Sequence, residues 1–314
     1  MDRRQPIAGG RPIGARWVPV PPRDVVDRTI GVVGAFLPQR CLRSPVTSRD
    51  WRADRAFVFD RDAFTCRHCG TVGEDEPTSL RSYPVGDISL EGDVHESALV
   101  TVCCACFTVL EPSPSTETVA GGDLFDFVRD TTRVQGGTIS DVADFASVAT
   151  SLPDSLESAV DDETDVDLDA SVAKYRRARR DVVLALDLVD ARLERLAASE
   201  TAVDSDVRPA LAAFSETAAQ LQRTLREVVA SSETVATGLD RCHGCFASLE
   251  RSEDETCPNC GLVVHQTVDW EHDDGTVAFD RLFATINETL QGASQTTETL
   301  TDRTMTLAEQ LVDT

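Results

Sequence analysis

Leu99-Val-Thr-Val-Cys103-Cys-Ala-Cys106 runs an apolar, β-prone stretch straight into a Cys-x-x-Cys pair, and Cys66-Arg-His-Cys69-Gly70 supplies a matching pair upstream. Two residues between thiolates let one tight turn aim both sulfurs at a single ion. Two such turns complete a tetrahedral four-sulfur shell with no position left for water. The arrangement recurs at Cys242-His-Gly-Cys245 and Cys257-Pro-Asn-Cys260-Gly261. Eight of the ten cysteines fall into these pairs, leaving Cys41 and Cys104. The expected cofactors are two structural zinc ions, one held by Cys66, Cys69, Cys103 and Cys106 and one by Cys242, Cys245, Cys257 and Cys260. Both shells are closed, so neither is a catalytic metal site.

The 314 residues suffice for two or three domains. No apolar run approaches a membrane span, and Ile30–Leu37 is short and ends at Pro38. The start lacks the layout of a secretory signal. Reduced, metal-ready cysteines then point to the cytoplasm and exclude a membrane role. The net charge is −24, from 54 acidic and 30 basic residues, and Lys174 is the only lysine. An acidic surface almost empty of lysine resembles proteins of salt-loving archaea, where high salt screens self-repulsion. The charge is also lopsided. Residues 1–67 carry 13 arginines against 7 acids, a surplus of +6, and the remainder carries −30. A basic arm on an acidic body suits phosphate contact.

The predicted class is α+β and multi-domain: a small zinc module of two strands and a helix, long antiparallel coiled-coil helices, and a zinc ribbon. Residues 1–50 read as an arginine-rich, partly ordered arm and 51–112 as the first zinc module. Residues 113–152 read as short helices broken at Gly136-Gly137, with Ser140 as a cap. The acid-rich stretch 153–170 reads as a linker. In 171–236, Tyr175, Val182, Leu186, Val189, Leu193 and Leu196 keep alternating three-and-four spacing, with Arg179 the one polar intruder. A second seam runs through Leu211, Phe214, Ala218, Leu221, Leu225 and Val228, and Pro209 fits a first helical turn. Residues 237–270 read as the zinc ribbon, with Leu262-Val-Val264 as a strand. Residues 271–314 read as a C-terminal helix with a weaker seam through Ile286, Leu290, Ala293, Leu300, Leu307 and Leu311.

Residues 55–107 resemble an HNH nuclease domain of the zinc-stapled type. The likeness rests on Arg55-Ala-Phe-Val58, on Arg61-Asp62-Ala-Phe-Thr-Cys66-Arg-His-Cys69-Gly70, and on Leu99-Val-Thr-Val-Cys103-Cys-Ala-Cys106. It implies a ββα-metal hairpin and helix carrying a water-activating histidine, an orienting asparagine and a histidine that holds Mg(II). The matching positions here are Tyr83, Ala98 and Phe107. A tyrosine is a poor base at neutral pH, alanine has no polar atom, and phenylalanine cannot ligate a cation. The resemblance thus implies a degenerate module with no catalytic residues, and Mg(II) only if nuclease activity survives. His95, Asp87 and Asp93 are the nearest candidates for a rewired site. His68, inside the first pair, reads as a surface or supporting residue.

Three functions fit the sequence. The first is a catalytically inactive, HNH-like zinc protein in nucleic-acid association, with the arginine-rich N-terminal region meeting phosphate. The second is a protein–protein adaptor or self-associating chain acting through the coiled coil and the ribbon, whose acids Glu250, Glu253, Asp254 and Glu255 disfavour a DNA-binding face. The third is an active endonuclease with relocated metal ligands.

Overall fold

A computed structural model describes residues 52–73, 79–86, 94–111, 118–119, 123–161, 165–249 and 256–312. The arm 1–50 with Cys41, the carboxylates Asp87 and Asp93, and the ribbon acids Glu250, Glu253, Asp254 and Glu255 lie outside these residues.

Helix α1 (Arg52–Arg61) ends in a tight turn where Ala63 and Phe64 adopt left-handed φ angles of 51° and 49°. That turn feeds the first Cys-x-x-Cys loop. Strands β1 (Leu80–Pro84) and β2 (Leu99–Cys103) pair antiparallel, with Ser82 opposite Thr101 and Tyr83 opposite Val100. All five β2 residues are buried, which accounts for a strand that is apolar apart from Thr101, whose hydroxyl donates to the Val58 carbonyl at 3.4 Å. Helix α2 (Cys104–Leu110) follows β2 directly, so the second pair, Cys103 and Cys106, straddles a strand–helix junction.

Helix α3 (Leu124–Thr150) is a correction to the expected short helices: it runs unbroken through Gly136-Gly137. Its inward face overrides two unfavourable residues, because Val128, Thr131, Gln135, Thr138, Val142 and Phe145 are all buried. A Cβ at either glycine would meet nothing within 4 Å, and both positions are exposed. Gly136→Ala and Gly137→Ala are each expected to raise stability by about 1 kcal/mol, measurable as a higher thermal midpoint.

The acidic stretch 153–170, read as a linker, is largely helical as well. Helix α4 (Leu152–Asp161) carries Asp154 in its first turn, where a carboxylate complements the helix dipole. Helix α5 (Asp165–Ser199) follows. At 35 residues it is about 50 Å long. Helix α6 (Arg208–Gly238) starts with proline in its first turn, as expected. The cross-helix pairs Arg179–Glu233 and Asp187–Arg226 run in opposite order along α5 and α6, so the two helices are antiparallel. Helix α7 (Phe279–Val312) returns along α6 and α3.

The seam residues of α5 and α6 are buried, but α5 also buries Val183, Leu184, Ala185 and Leu188. It is therefore covered on more than one face, by α3 and α6 and by the zinc module. Two buried amides fix the bundle's register. Gln135 Nε2 donates to the Ala218 carbonyl at 2.9 Å and Gln222 Nε2 to the Leu186 carbonyl at 2.8 Å. One continuous core then runs from Cys66, Leu80, Val100 and Cys103 into Phe145, Leu186, Phe214 and Leu282. The first zinc module is not a separate bead. It is packed on α5 within a compact unit spanning residues 40–314.

Candidate functional site

The first four-sulfur cluster is assembled from two unlike loops. In the first, Cys66 N–H donates to the Thr71 carbonyl at 2.8 Å and Gly70 N–H to the Cys66 carbonyl at 3.0 Å. Gly70 sits at φ 73°, a conformation that favours glycine. Arg67 N–H donates to the Thr101 carbonyl at 2.9 Å, which ties this loop to β2 and hence to Cys103 and Cys106. The sulfurs of Cys66, Cys69, Cys103 and Cys106 lie within 4.8 Å of one another, with Cys69 and Cys103 at 3.6 Å. Tetrahedral Zn–S bonds of about 2.3 Å place sulfurs roughly 3.8 Å apart. The cluster fits that ion.

Arg61-Asp62, quoted above for the resemblance, has a definite task. Arg61 donates to the carbonyls of Glu96 and Leu99 at 2.9 and 2.7 Å, and to Asp62. Asp62 in turn accepts from Thr101 N–H at 2.9 Å. Burial alone would raise the Asp62 pKa, but the Arg61 charge and the hydrogen bonds bring it below the usual carboxylate value. The dipeptide thus clamps α1 to the entry of β2.

The second cluster repeats the logic with two similar loops. Cys242–Cys260 and Cys245–Cys257 sulfur separations are 3.5 and 3.7 Å. Gly261 has φ 75° as expected, and a Cβ on Gly244 would collide with Leu262 Cδ1 at 2.1 Å. Among the described residues, the strand expected over 262–264 reduces to a single bridge, Thr256 with Val263. Both clusters are compatible with structural zinc ions, and their donor sets leave no open ligand position.

A third group was not foreseen. Glu233, His243 and His265 offer donor atoms within 4.8 Å of one another. His265 Nε2 lies 2.7 Å from Glu233 Oε2, and Arg179 Nε lies 2.6 Å from Glu233 Oε1. Burial would raise the Glu233 pKa, yet the Arg179 guanidinium and His265 hold it down at about 2. Burial pushes the His243 pKa down to about 4. The guanidinium stands where a cation would compete, so this is a buried charge network joining α5, α6 and the ribbon. Arg179, the polar intruder in the seam, was the only sequence signal of it.

The three positions matched to the nuclease residues are divided between two clusters. Tyr83 and Phe107 pack against the continuous core. Ala98, fully buried, belongs to a separate cluster with Val58, Val94 and Leu99. Burial, then the charges of Asp187 and Glu111, raises the Tyr83 pKa, so its phenol is still less of a base. His95 caps the 3-10 turn at 96–98, its Nδ1 accepting from Ser97 N–H at 3.2 Å. Among the described residues, His95 joins no cluster of three donors. His68 is half-buried and stands outside the four-sulfur set.

A cavity of about 360 Å³ opens where α1, the first cysteine loop, Glu96 and α5 meet. Five arginines line it, Arg61, Arg67, Arg176, Arg177 and Arg180, with Phe57 at its edge. Lining carboxylates Asp62 and Glu96, with Asp181 beside them, leave a local charge of +2. Arg67 pairs with Asp181, and Arg176 lies 3.4 Å from Glu96. Arg180 is buried at 7% exposure, and burial followed by the Arg61 charge pulls its pKa down to about 9. Sequence periodicity could not find this site, because Arg61 and Arg67 come from the zinc module and the others from α5.

No helix among the described residues is long and apolar enough to cross a membrane. No family model, curated protein or solved structure matches the chain, so the HNH likeness stands on its two cysteine loops and their flanking residues alone.

Proposed function

We propose that this chain is a zinc-scaffolded, catalytically inactive protein of nucleic-acid association, built on an HNH-like module fused to a helical bundle. The carrying observation is the five-arginine cavity in a chain of net charge −24. Acidic surface solvates the protein in high salt, and a local reversal of sign against that background is a phosphate-facing feature. The arginine-rich residues 1–50 are a second expected phosphate contact. Loss of nuclease chemistry is supported by Tyr83 and Phe107, whose side chains are taken up in packing against the core. The adaptor reading is weakened because the apolar seams of α5 and α6 are consumed within one chain.

The test is binding and cleavage by the zinc-loaded full chain, from 0.2 M to molar salt, on labelled DNA and RNA. Binding is expected to weaken with salt and no strand to be cut with Mg(II) or Mn(II). Arg177→Ala, at the exposed rim, is expected to make the slope of log K against log salt shallower by about one. Nicking that disappears on His95→Ala would establish the relocated-ligand nuclease instead. Absence of binding to either polymer at every salt would favour the adaptor.

A further inference from the structure

We infer that the arginine-lined cavity seats one phosphate of an unpaired nucleic-acid strand, with Arg180 as the anchor and Phe57 as a platform for the neighbouring base. This deepens the reading above, on which it rests, and narrows it to one site and one strand form.

Most of the charges around the cavity are paired with one another. Arg61 is occupied by Asp62 and two carbonyls, Arg67 by Asp181, and Arg176 by Glu96. Arg177 stands 3.9 Å from Asp181 at the rim. Arg180 makes no hydrogen bond or ion pair among the described residues, although only 7% of it is exposed. Asp62 and Asp181 offset its charge from a distance, but both carboxylates are already engaged by other arginines. A buried cation without an anion is costly, and its removal from water is offset when an anion arrives. A guanidinium fork matches two phosphate oxygens. Because the contact is buried, salt screens it less than a rim contact, which suits an acidic chain working at high salt.

The cavity's size and edge select the ligand's form. About 360 Å³ lies at the small end of ligand sites and holds a nucleotide unit, not a helix. A duplex keeps its bases stacked inside and its phosphates on a stiff outer rail. It cannot put a phosphate on the Arg180 floor and a base against Phe57 together. A flexible single strand can. Phe57 is 52% exposed, a large apolar side chain left in water beside five cations. Aromatic faces next to arginines are how unpaired bases are held without sequence preference.

The experiment uses the full zinc-loaded chain with a labelled oligothymidylate, the corresponding duplex, and inorganic pyrophosphate. Arg180→Met keeps the aliphatic stem and removes the charge. It is expected to weaken single-strand binding about tenfold while the thermal midpoint stays level or rises, since an unpaired buried cation is removed. A purely structural arginine would instead lower the midpoint. Phe57→Ala, on an exposed side chain, is expected to weaken single-strand binding severalfold and leave duplex binding unchanged. This arm stands even if Arg180→Met fails to fold. Wild-type affinity in both variants, or equal affinity for duplex and single strand, overturns this site while leaving nucleic-acid association intact. Stabilisation by pyrophosphate that Arg180→Met abolishes, with no strand bound at any salt, overturns the nucleic-acid reading and leaves only a phosphate seat.

Discussion

Cys103→Ser is expected to reduce bound zinc from two ions to one per chain and to abolish cooperative folding of the bundle. Cys257→Ser is expected to reduce zinc equally while α3, α5 and α6 stay helical. The contrast follows from where each cluster sits. Cys66, Cys103 and Cys106 belong to the continuous core that includes Phe145, Leu186 and Phe214. The second cluster has its own small core of its four cysteines and Leu262. A structural zinc shell contributes on the order of 10 kcal/mol in small modules, comparable with a whole domain's net stability. Losing the first shell also releases the Arg67–Asp181 pair and the β2 contacts on α5. Metal analysis with far-ultraviolet circular dichroism measures both. Two zinc ions per chain and an unchanged melt in Cys103→Ser would show that the first cluster does not hold a metal.

What could be read from the sequence was what is local. A Cys-x-x-Cys pair is a short-range device, so both four-sulfur clusters were legible from spacing, as was the glycine at 261 that bends the second loop. Helical periodicity likewise gave the buried stripes of α5 and α6. The failures are all cases where a distant partner decided. Gly136-Gly137 argues for a break when α3 is considered alone, but Gln135 donates to Ala218 on α6 and Thr138 is buried beside it. The acid-rich 153–170 looks like a solvated spacer until α4 packs against α5 and Leu152 enters the shared core. The cavity required Arg61 and Arg67 to be brought across more than a hundred residues of chain to Arg176 and Arg180. Arg179 was visible as an oddity, and its partner Glu233 was one acid among 54.

That partner carries the second large effect. Glu233→Gln is expected to cost about 3–5 kcal/mol, because it leaves the Arg179 guanidinium buried without its anion. For a chain of this size the thermal midpoint falls by roughly 10 °C. Arg179 is 2% exposed and Glu233 6%, so water cannot take over the lost contact. The cost belongs to the unmatched charge and not to the pair as such. Replacing both partners, as in Arg179→Met with Glu233→Met, is therefore expected to recover most of the loss and to leave the double variant more stable than Glu233→Gln. The pH dependence carries the same signature. The Glu233 pKa is held at about 2, below its ordinary 4.5. Its contribution is then complete above pH 4.5 and is lost as pH falls from about 4.5 toward 2. The stability gap between wild type and Glu233→Gln should be widest near neutrality and narrow through that window. A gap that stays constant down to pH 2, or a double variant no better than Glu233→Gln, would mean that side-chain packing at this junction matters more than the charge pair. Because Arg179 belongs to α5, Glu233 to α6 and His265 to the ribbon, the same variant also reports on how firmly the second zinc centre is tied to the bundle. His265 loses its carboxylate partner at 2.7 Å, so hydrogen exchange around Cys242 and Cys260 is expected to quicken before the helices themselves open.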